Sequence, residues 1–444
     1  MLAYDADERT VMAISQYAVW MLAQDARALL TRLERVKPFA LIEPMLPAAA
    51  LQPDAQRATE RYLVAGRRDL RDMVVGFLAW LHGAPGKRAT AAEAQRRFTL
   101  LRLKFNAVLT QFDLFNDVIS QRSERDFGVW LSGLDVVAMD ALRLPGVYEA
   151  PPLMCYLDRG IGAAIRRART RLPGGGASPV AIIRVPRERM VGSGIAASLI
   201  HEVGHQASAL LDLTASLRPL LQGMQRNGGT AWRLFERWIN EILSDFWSCA
   251  QLGVAATLGL MNVVSLPRPF MFRLNLDDPH PVPWLRVRLS CAMGMAMFPH
   301  PQWQRLARLW SDYYPLEGLD VQRRRLFAEV LAAMPGFVGL LVNHRPPALR
   351  GRSLREALGV TQRQPAQLDA QFSTWQQRPA AMYRAAPSLV FAVLGQARAN
   401  ARLTPEEESH LFARLLTHWA LRSAINDNPK PAVRARHESG LVGH

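Results

Sequence analysis

Apolar residues recur at intervals of three and four along most of the first 150 residues of the chain. Residues 10–36 and 92–121 show this spacing most clearly, and a Pro- and Ala-rich stretch at residues 43–56 separates them. Such spacing places the apolar side chains on one face of an α-helix. We therefore predict an N-terminal helical region that covers residues 1–150.

The apolar pattern changes to short continuous runs in the middle of the chain. Residues 148–160 and 178–188 each hold such a run, bounded by proline or glycine, and a Gly-rich stretch at residues 171–179 lies between them. Runs of this length between turn residues are typical of β-strands. We predict two or three strands here, which together form a small sheet.

Helical spacing returns at about residue 193 and dominates the rest of the chain. Several helices follow Pro299, including one that begins at Thr404, where Pro405 and Glu407 complete the signature of a capping box. The pattern as a whole predicts a mainly α fold with a small central β-sheet (α+β). The predicted regions are residues 1–150, 151–300 and 301–425, followed by a flexible basic tail at residues 426–444.

The chain is basic, with a formal net charge of +16, and all but four of its 54 basic residues are arginines. The excess lies beyond residue 150, and its longest cluster is only residues 323–325. Nucleic-acid binding favours a clustered basic stripe with interleaved aromatic residues. We therefore expect a solvated basic surface and no specific nucleic-acid partner, with an arginine-driven nucleic-acid binder as the alternative.

Cysteine usage and hydropathy indicate a cytoplasmic protein without a membrane span. Cys155, Cys249 and Cys291 match no metal or redox spacing, and one would stay unpaired after any disulfide. The first ten residues are acidic and lack the order of a signal peptide. Residues 252–266 are the most apolar segment, but a span needs about 20 such residues, so we predict a buried helix. A membrane-associated peptidase that uses residues 246–267 is the alternative.

One helix in the middle region carries candidate chemistry. His201 and His205 lie one helical turn apart, and Glu202 directly follows the first of them. Two imidazoles at this spacing can bind one metal ion, and a carboxylate beside them can take a proton from water. Ser193 is a candidate cap for this helix. The alternative interpretation is a pair of surface histidines on an amphipathic helix.

A second apolar helix, predicted at residues 235–253, supplies a candidate third ligand. Glu241 and Asp245 lie four residues apart on one of its faces. Catalytic zinc takes three protein ligands and leaves a position for water, so Glu241 would bind the ion. Asp245 would accept the free N–H of a ligating histidine and fix its tautomer. The surrounding apolar residues indicate burial, and buried carboxylates need a partner; a solvated acidic patch is the alternative.

The pattern HExxH followed by the sequence NEILSD at residues 240–245 resembles the gluzincins, the thermolysin-like zinc peptidases. The resemblance implies one zinc ion per chain, bound by His201, His205 and Glu241, with Glu202 as general base and Asp245 orienting His201. The 35 residues between His205 and Glu241 exceed the spacing of thermolysin-like enzymes. We expect residues 217–230 to loop out between the two helices.

A third motif, His280-Pro281 followed by Arg286, is similar to one in HtpX-like and CAAX-prenyl-type zinc peptidases. There the pair is associated with the active site, as donors to substrate or to the oxyanion; a proline-rich turn with an exposed histidine is the alternative. The combined resemblance covers about residues 179–290 and implies a zincin-like metallopeptidase core at residues 151–300, flanked by helical regions. In gluzincins an edge strand before the motif helix pairs with the substrate backbone, and residues 181–185 are either that edge or an interior strand.

These motifs predict a zinc-dependent peptidase that acts on a peptide or protein substrate. Zinc and Glu202 would activate water for attack on the peptide carbonyl, with His280 and Arg286 as further catalytic candidates. The alternative is a non-catalytic helical interaction protein that retains a zinc site and binds a protein partner through its helical flanks.

Overall fold

The computed structural model describes residues 14–35, 45–160, 162–187, 192, 194–275 and 277–427. It confirms a mainly α protein with a small three-stranded sheet. The predicted cap Ser193 and residues 428–444 of the predicted tail lie outside the described residues.

The secondary structure begins with five helices, continues with the strands and ends with a long series of helices. The first helices are α1 (Gln16–Arg35), α2 (Pro53–His82), α3 (Ala84–Arg88), α4 (Ala91–Ser120) and α5 (Arg125–Leu142). The strands are β1 (Leu153–Asp158), β2 (Ala164–Arg166) and β3 (Ala181–Pro186). The later helices are α6 (Gly194–Leu210), α7 (Leu213–Arg237), α8 (Ile239–Leu252), α9 (Val254–Val264), α10 (Arg268–Met271), α11 (Pro283–Met297), α12 (Gln302–Tyr313), α13 (Val321–Asn343), α14 (Leu354–Ala357), α15 (Pro365–Gln377), α16 (Pro379–Arg384), α17 (Pro387–Ala399) and α18 (Pro405–Asp427).

Three long helices, α1, α2 and α4, pack together in the N-terminal part of the chain. Their apolar positions face one another and form a buried cluster that includes Leu63, Phe77 and Phe98. The same cluster includes Met154 of β1 and Ile182 of β3. The N-terminal helices therefore cover one face of the sheet.

The sheet separates two cores because successive side chains of a strand point to opposite faces. On β3, Ile182 belongs to the N-terminal cluster, whereas Ile183 and Val185 belong to a second, larger cluster. The strand order is β1-β3-β2, with β3 parallel to β1 and antiparallel to β2. Residues 181–185 are therefore an interior strand, and the three-residue β2 forms an edge of the sheet.

The second core joins the middle and the C-terminal parts of the chain. α6 packs on α8 and α9, α17 packs on the same two helices, and α13 packs on α7 and α11. Every residue of α8 except Asn240 is buried, which places this helix at the centre. Helices from both sides of residue 300 therefore share this core. The predicted boundaries at residues 150 and 300 stay predictions.

The capping box expected at the start of α18 is present. The Thr404 backbone N–H donates to Glu407 Oε2 over 2.9 Å, and the Glu407 N–H donates to Thr404 Oγ1 over 3.2 Å. The two side chains thus satisfy backbone donors that have no partner within the helix.

The loop expected at residues 217–230 is wrong, because these residues form part of α7. Leu217 and Leu221 lie one turn apart and are fully buried in the second core. Tertiary packing of such an apolar stripe is the main source of helix stability. The helix is interrupted at Gly229, whose φ of 68° lies in the left-handed region that glycine adopts readily. The segment between His205 and Glu241 thus consists mainly of the end of α6 and the interrupted helix α7, rather than of a loop.

Among the described residues, α13 is the one helix long and apolar enough to cross a membrane, with a mean hydropathy of 1.7 in its most apolar window. Core helices of soluble proteins pass the same test. Phe327, Met334 and Phe337 of α13 are buried in the second core, and Glu329 lies on its exposed side. Residues 252–266, the most apolar segment of the sequence, include α9, which is shorter than α13 and mostly buried. The expected lack of a membrane span stays a prediction.

The two helices that carry the first two motifs come very close to each other at a glycine. A Cβ atom added to Gly204 of α6 would lie 2.8 Å from Ser244 Cα and 3.0 Å from Trp247 Cβ, both on α8. Real Cβ atoms essentially never lie closer than 3.0 Å to such neighbours, because non-bonded atoms repel one another strongly at that separation. Gly204 is therefore needed where α6 and α8 touch, between Glu202 and His205 in the sequence.

Replacing Gly204 by alanine should lower the free energy of unfolding by about 1–3 kcal/mol, because the added methyl group forces α6 and α8 apart. In an unobstructed helix the same change raises stability by roughly 0.5–1 kcal/mol, so the sign of the effect reports the close contact. Gly223→Ala in α7 is the matched control, since its Cβ would meet nothing within 4 Å. Chemical denaturation measures both variants, and a Gly204→Ala protein as stable as the wild type would contradict the expectation.

Candidate metal centre

His201 and His205 project from the same side of α6 toward α8. Their ring centroids are 4.9 Å apart, as expected for residues one helical turn apart. Glu241 reaches both rings from α8: its Oε2 lies 3.3 Å from His201 Nε2 and its Oε1 lies 3.5 Å from His205 Nε2. One ligand atom from each of the three residues lies within 4.8 Å of the other two. The three side chains could therefore share one metal ion.

The chemistry of this donor set fits zinc. Among the described residues, no donor makes a well-aligned hydrogen bond to the buried Glu241 Oε2, although His201 Nε2 and His280 Nε2 each lie 3.3 Å away and Arg286 Nη2 lies 3.5 Å away. A buried carboxylate oxygen without a donor is costly unless a cation neutralises it. Two imidazoles and one carboxylate are a usual ligand set for catalytic zinc, which keeps a further position open. A zinc ion bound by these residues would supply the positive partner that Glu241 Oε2 lacks.

Asp245, one turn beyond Glu241 on α8, determines how His201 is oriented. His201 Nδ1 lies 2.9 Å from Asp245 Oδ1. Burial would raise the pKa of Asp245, but the charge of Arg286 together with the hydrogen bond and charge of His201 holds this pKa far below its usual range. An ionised carboxylate can only accept hydrogen bonds, so Nδ1 carries the proton and donates it. With Nδ1 bound to Asp245, the Nε2 atom of His201 points toward Glu241. This contact is the one through which the sequence analysis expects Asp245 to orient His201.

Arg286 lies on α11 and is bound to Asp245 rather than free in the cleft. Its Nε donates to Asp245 Oδ2 over 2.6 Å, and its Nη2 donates to Asp245 Oδ1 over 2.9 Å. The same Nη2 lies 3.5 Å from Glu241 Oε2. The structure therefore brings Arg286 to the site, but two of its nitrogen atoms are occupied by Asp245. Its expected role as a direct donor to substrate stays a prediction.

Glu202 lies beside the candidate ligands with its side chain almost fully buried. Burial raises its pKa, although the nearby positive charge on His201 acts in the opposite direction. A carboxylate with a raised pKa is a better proton acceptor near neutral pH. Glu202 also lines both cavities of the site, so a water molecule or substrate can reach it. Its environment is suited to a general base.

The three candidate ligands have strongly shifted pKa values because they are buried close together. Burial alone would lower the pKa of His201, but the hydrogen bond to Asp245 and the Glu241 carboxylate raise it to about 9. Burial and the charge on His201 lower the pKa of His205 to about 4. Burial would raise the pKa of Glu241, but the proton on His201 lowers it to about 2. Without a metal, one proton on His201 therefore takes the place of a cation.

His280 lies opposite Glu202 at the entrance of the site and is about half exposed. Its Nδ1 contacts Asp278 Oδ1 at 2.7 Å, and its Nε2 faces Glu241. Asp278 also accepts the backbone N–H of His280. These contacts hold the imidazole at the rim of the site, where it lines both cavities. The structure thus places all the predicted site residues together: His201, Glu202, His205, Glu241, Asp245, His280 and Arg286.

Two cavities meet at these residues. An open cleft of about 720 Å³ runs past His205 and Glu241, and β2 forms part of its wall through Ala164 and Ile165. A smaller cavity of about 130 Å³, called the inner cavity below, shares His201, Glu202 and His280 with the cleft, and α9 forms part of its wall. The inner cavity is lined mainly by small or apolar residues: Gly162, Ala163, Ala197, Ser198, Ser248, Ala256, Leu260, Val263 and Ser290.

Sequence reasoning missed these lining residues. β2 is only three residues long and carries no alternating pattern that would announce an edge strand. The sequence predicts a buried helix at residues 252–266, but the place of α9 beside the site depends on its contacts with α6 and α8. Small side chains such as Ala197 and Ser248 give no chemical signal until their neighbours are known.

Zinc binding at pH 7 should release about one proton, because the metal must displace the proton from His201 while His205 is already neutral. The measured affinity should therefore rise about tenfold per pH unit as the pH increases toward 9. Calorimetry in two buffers with different ionisation enthalpies measures the number of protons. In Asp245→Asn, His201 loses its charged acceptor and should release less than one proton. An affinity that is constant between pH 7 and 9 would contradict this.

Comparisons with known proteins place no relative beside this chain. A scan against protein-family models, a search of curated proteins and a search of solved structures return no match. The resemblance to gluzincins therefore rests on the short motifs described above. What the protein does has to be inferred from the chemistry and geometry of its own residues.

Proposed function

We propose that this protein is a zinc-dependent peptidase with a zincin-like core and one zinc ion per chain. The observation that carries the proposal is the meeting of His201, His205 and Glu241, whose ligand atoms lie within 4.8 Å of one another. A buried Glu202 lies next to this group. A purely structural zinc site uses four ligands and needs no adjacent base, so the combination favours catalysis.

Bound zinc would supply Lewis-acid polarisation of a peptide carbonyl and would lower the pKa of water. Glu202 would take a proton from the attacking water and later deliver it to the leaving amine. Its raised pKa suits both tasks, because the group must accept and release a proton near neutral pH. Asp245 would hold the His201 ring in one orientation throughout.

The open cleft offers a place for an extended peptide beside the candidate ligands. One side of β2 is hydrogen-bonded to β3, and its residues Ala164 and Ile165 line the cleft. A peptide added along the other side of this edge would gain main-chain hydrogen bonds. We infer that β2, rather than the interior strand β3, would align the substrate. His280 at the rim would contact the same chain.

The inner cavity would accept one apolar side chain of the substrate. Its volume of about 130 Å³ is close to that of a cavity of roughly 150 Å³ that holds a benzene molecule. Leu260 and Val263 form apolar parts of the wall, while Ser198 and Ser290 add hydroxyl groups. Leucine or phenylalanine next to the cleaved bond would fit this space.

A second candidate function is a helical interaction protein that retains the zinc site. Tyr17 and Trp20 on α1 are stacked, with ring centroids 6.0 Å apart, and are 70% and 54% exposed. Exposed aromatic residues are enriched where proteins bind one another. The buried acid Glu202 has no use in such a protein, and it makes the peptidase the preferred proposal.

Glu202→Gln should reduce peptide hydrolysis by about 10²–10⁴-fold, because glutamine cannot accept the proton from water. Zinc content should stay at one ion per chain, since Glu202 is not a ligand in this proposal. Glu236→Gln is the matched control, because Glu236 contacts Gln222 and Gln225 on α7, away from the site. A fluorogenic peptide library measures activity and mass spectrometry measures zinc. Unchanged hydrolysis in Glu202→Gln would refute this role.

Filling the inner cavity should change which peptides are cleaved. Ala256→Phe should lower kcat/KM for peptides with leucine or phenylalanine beside the cleaved bond by about 10–200-fold relative to those with alanine. Leu260→Ala should enlarge the cavity and shift the preference toward the larger residue. Competition between two labelled peptides in one assay measures the ratio. Equal ratios in both variants and the wild type would show that this cavity does not bind the side chain.

A further inference from the structure

Asp245 is held by two partners from different helices. Its Oδ1 accepts hydrogen bonds from His201 Nδ1 on α6 and from Arg286 Nη2 on α11, each over 2.9 Å. Its Oδ2 accepts the Arg286 Nε–H over 2.6 Å. Asp245 and Arg286 are 8% and 9% exposed, so little water competes for these bonds. Three helices thus converge on one carboxylate.

The guanidinium group of Arg286 determines the orientation of this carboxylate. Its planar arrangement of donors matches both oxygen atoms of a carboxylate at once, which a lysine ammonium group cannot do. With both oxygen atoms bound, rotation of the Asp245 carboxylate would break at least one short hydrogen bond. Oδ1 is therefore kept in the plane and at the distance that His201 requires.

Loss of Arg286 would leave Asp245 as a buried acid with His201 as its main polar partner. Without Arg286, Asp245 Oδ2 would lose its 2.6 Å donor and Oδ1 would lose one of its two donors. The carboxylate could then rotate. His201 Nδ1 would lose its fixed acceptor, and the ring could exchange tautomers or turn.

We propose that Arg286 is a positioning residue that holds Asp245 in place, so that His201 keeps its proton on Nδ1 and presents Nε2 to a divalent metal ion. The proposal rests on the metal-binding part of the function proposed above and assigns Arg286 a different role from that of an oxyanion donor. The contacts that carry it are the two hydrogen bonds to Asp245. No contact with substrate is required.

The charge of Arg286 by itself would have the opposite effect on metal binding. Arg286 Nη2 lies 3.5 Å from Glu241 Oε2, so its positive charge lies close to a candidate ligand. Like charges repel, and removing Arg286 would therefore strengthen the binding of a cation if charge were the only effect. Positioning predicts weaker binding instead. The sign of the change separates the two explanations.

The test is the zinc dissociation constant of the full-length wild type, Arg286→Met and Arg286→Lys, measured by competition with a chromophoric chelator. We expect Arg286→Met to bind zinc about 10–100-fold more weakly, which is the usual cost of losing a partner behind a metal ligand. Arg286→Lys should show most of the same loss, because it keeps the charge without the paired donors. Equal or tighter binding by Arg286→Met, or wild-type binding by Arg286→Lys, would overturn the proposal.

Arg286→Met leaves Asp245 buried without its guanidinium partner, which can prevent folding, and two further variants keep the test decisive. The double variant Asp245→Asn/Arg286→Met removes both charges of this buried ion pair and should fold, yet bind zinc more weakly than the wild type; wild-type affinity would overturn the proposal. Arg288→Met removes the same charge from the same helix. Arg288 donates to Ala307 O and Ser311 Oγ, so its loss should leave zinc affinity unchanged.

The tautomer of His201 provides a readout that does not require zinc. Nitrogen-15 chemical shifts of the neutral His201 ring should show the Nδ1-protonated form in the wild type and a mixture of tautomers in Arg286→Met. A single Nδ1-protonated form in both would overturn the proposal. Absence of zinc binding in the wild type would instead refute the proposed peptidase, while the tautomer would still report on Arg286.

Discussion

The close contact between α6 and α8 at Gly204 is the constraint on which the site depends. Two helices with ordinary side chains at the contact are held about 8–10 Å apart. A glycine at the crossing lets the backbone of α6 rest on Ser244 and Trp247 of α8. Glu241 then comes within 3.3–3.5 Å of His201 and His205. The histidines and the carboxylate meet because a residue between the histidines has no side chain.

Burial makes the electrostatic balance of this site demanding. Glu202, Glu241 and Asp245 are all less than 9% exposed, and Arg286 is the one buried arginine beside them among the described residues. Three carboxylates and one guanidinium group leave an excess of two negative charges when all are ionised. Buried charges need partners, and a divalent cation would balance this excess. The raised pKa of His201 is the partial substitute that the protein itself supplies.

The fold was predictable where the pattern was local and long. The α4 helix and the capping box of α18 followed from apolar spacing and from Thr404 and Glu407. The expected loop in α7 was wrong because Leu217 and Leu221 are buried in the second core. The polar residues and glycines around them gave no sign of this burial in the sequence. β2 escaped detection because three residues are too few to show a period, and because its pairing with β3 sets its place.

For the candidate site, the sequence by itself determined which residues can act together on one helix. His201 and His205, and likewise Glu241 and Asp245, lie four residues apart, and helix geometry alone places each pair on one face. The tertiary structure decided how the faces meet. The bond from Arg286 to Asp245 joins residues 41 positions apart, and the inner cavity is lined by residues of α9 and α11 as well as of α6 and α8. Such contacts depend on how whole helices pack, and packing is set by the shape of every buried side chain rather than by the spacing within one segment.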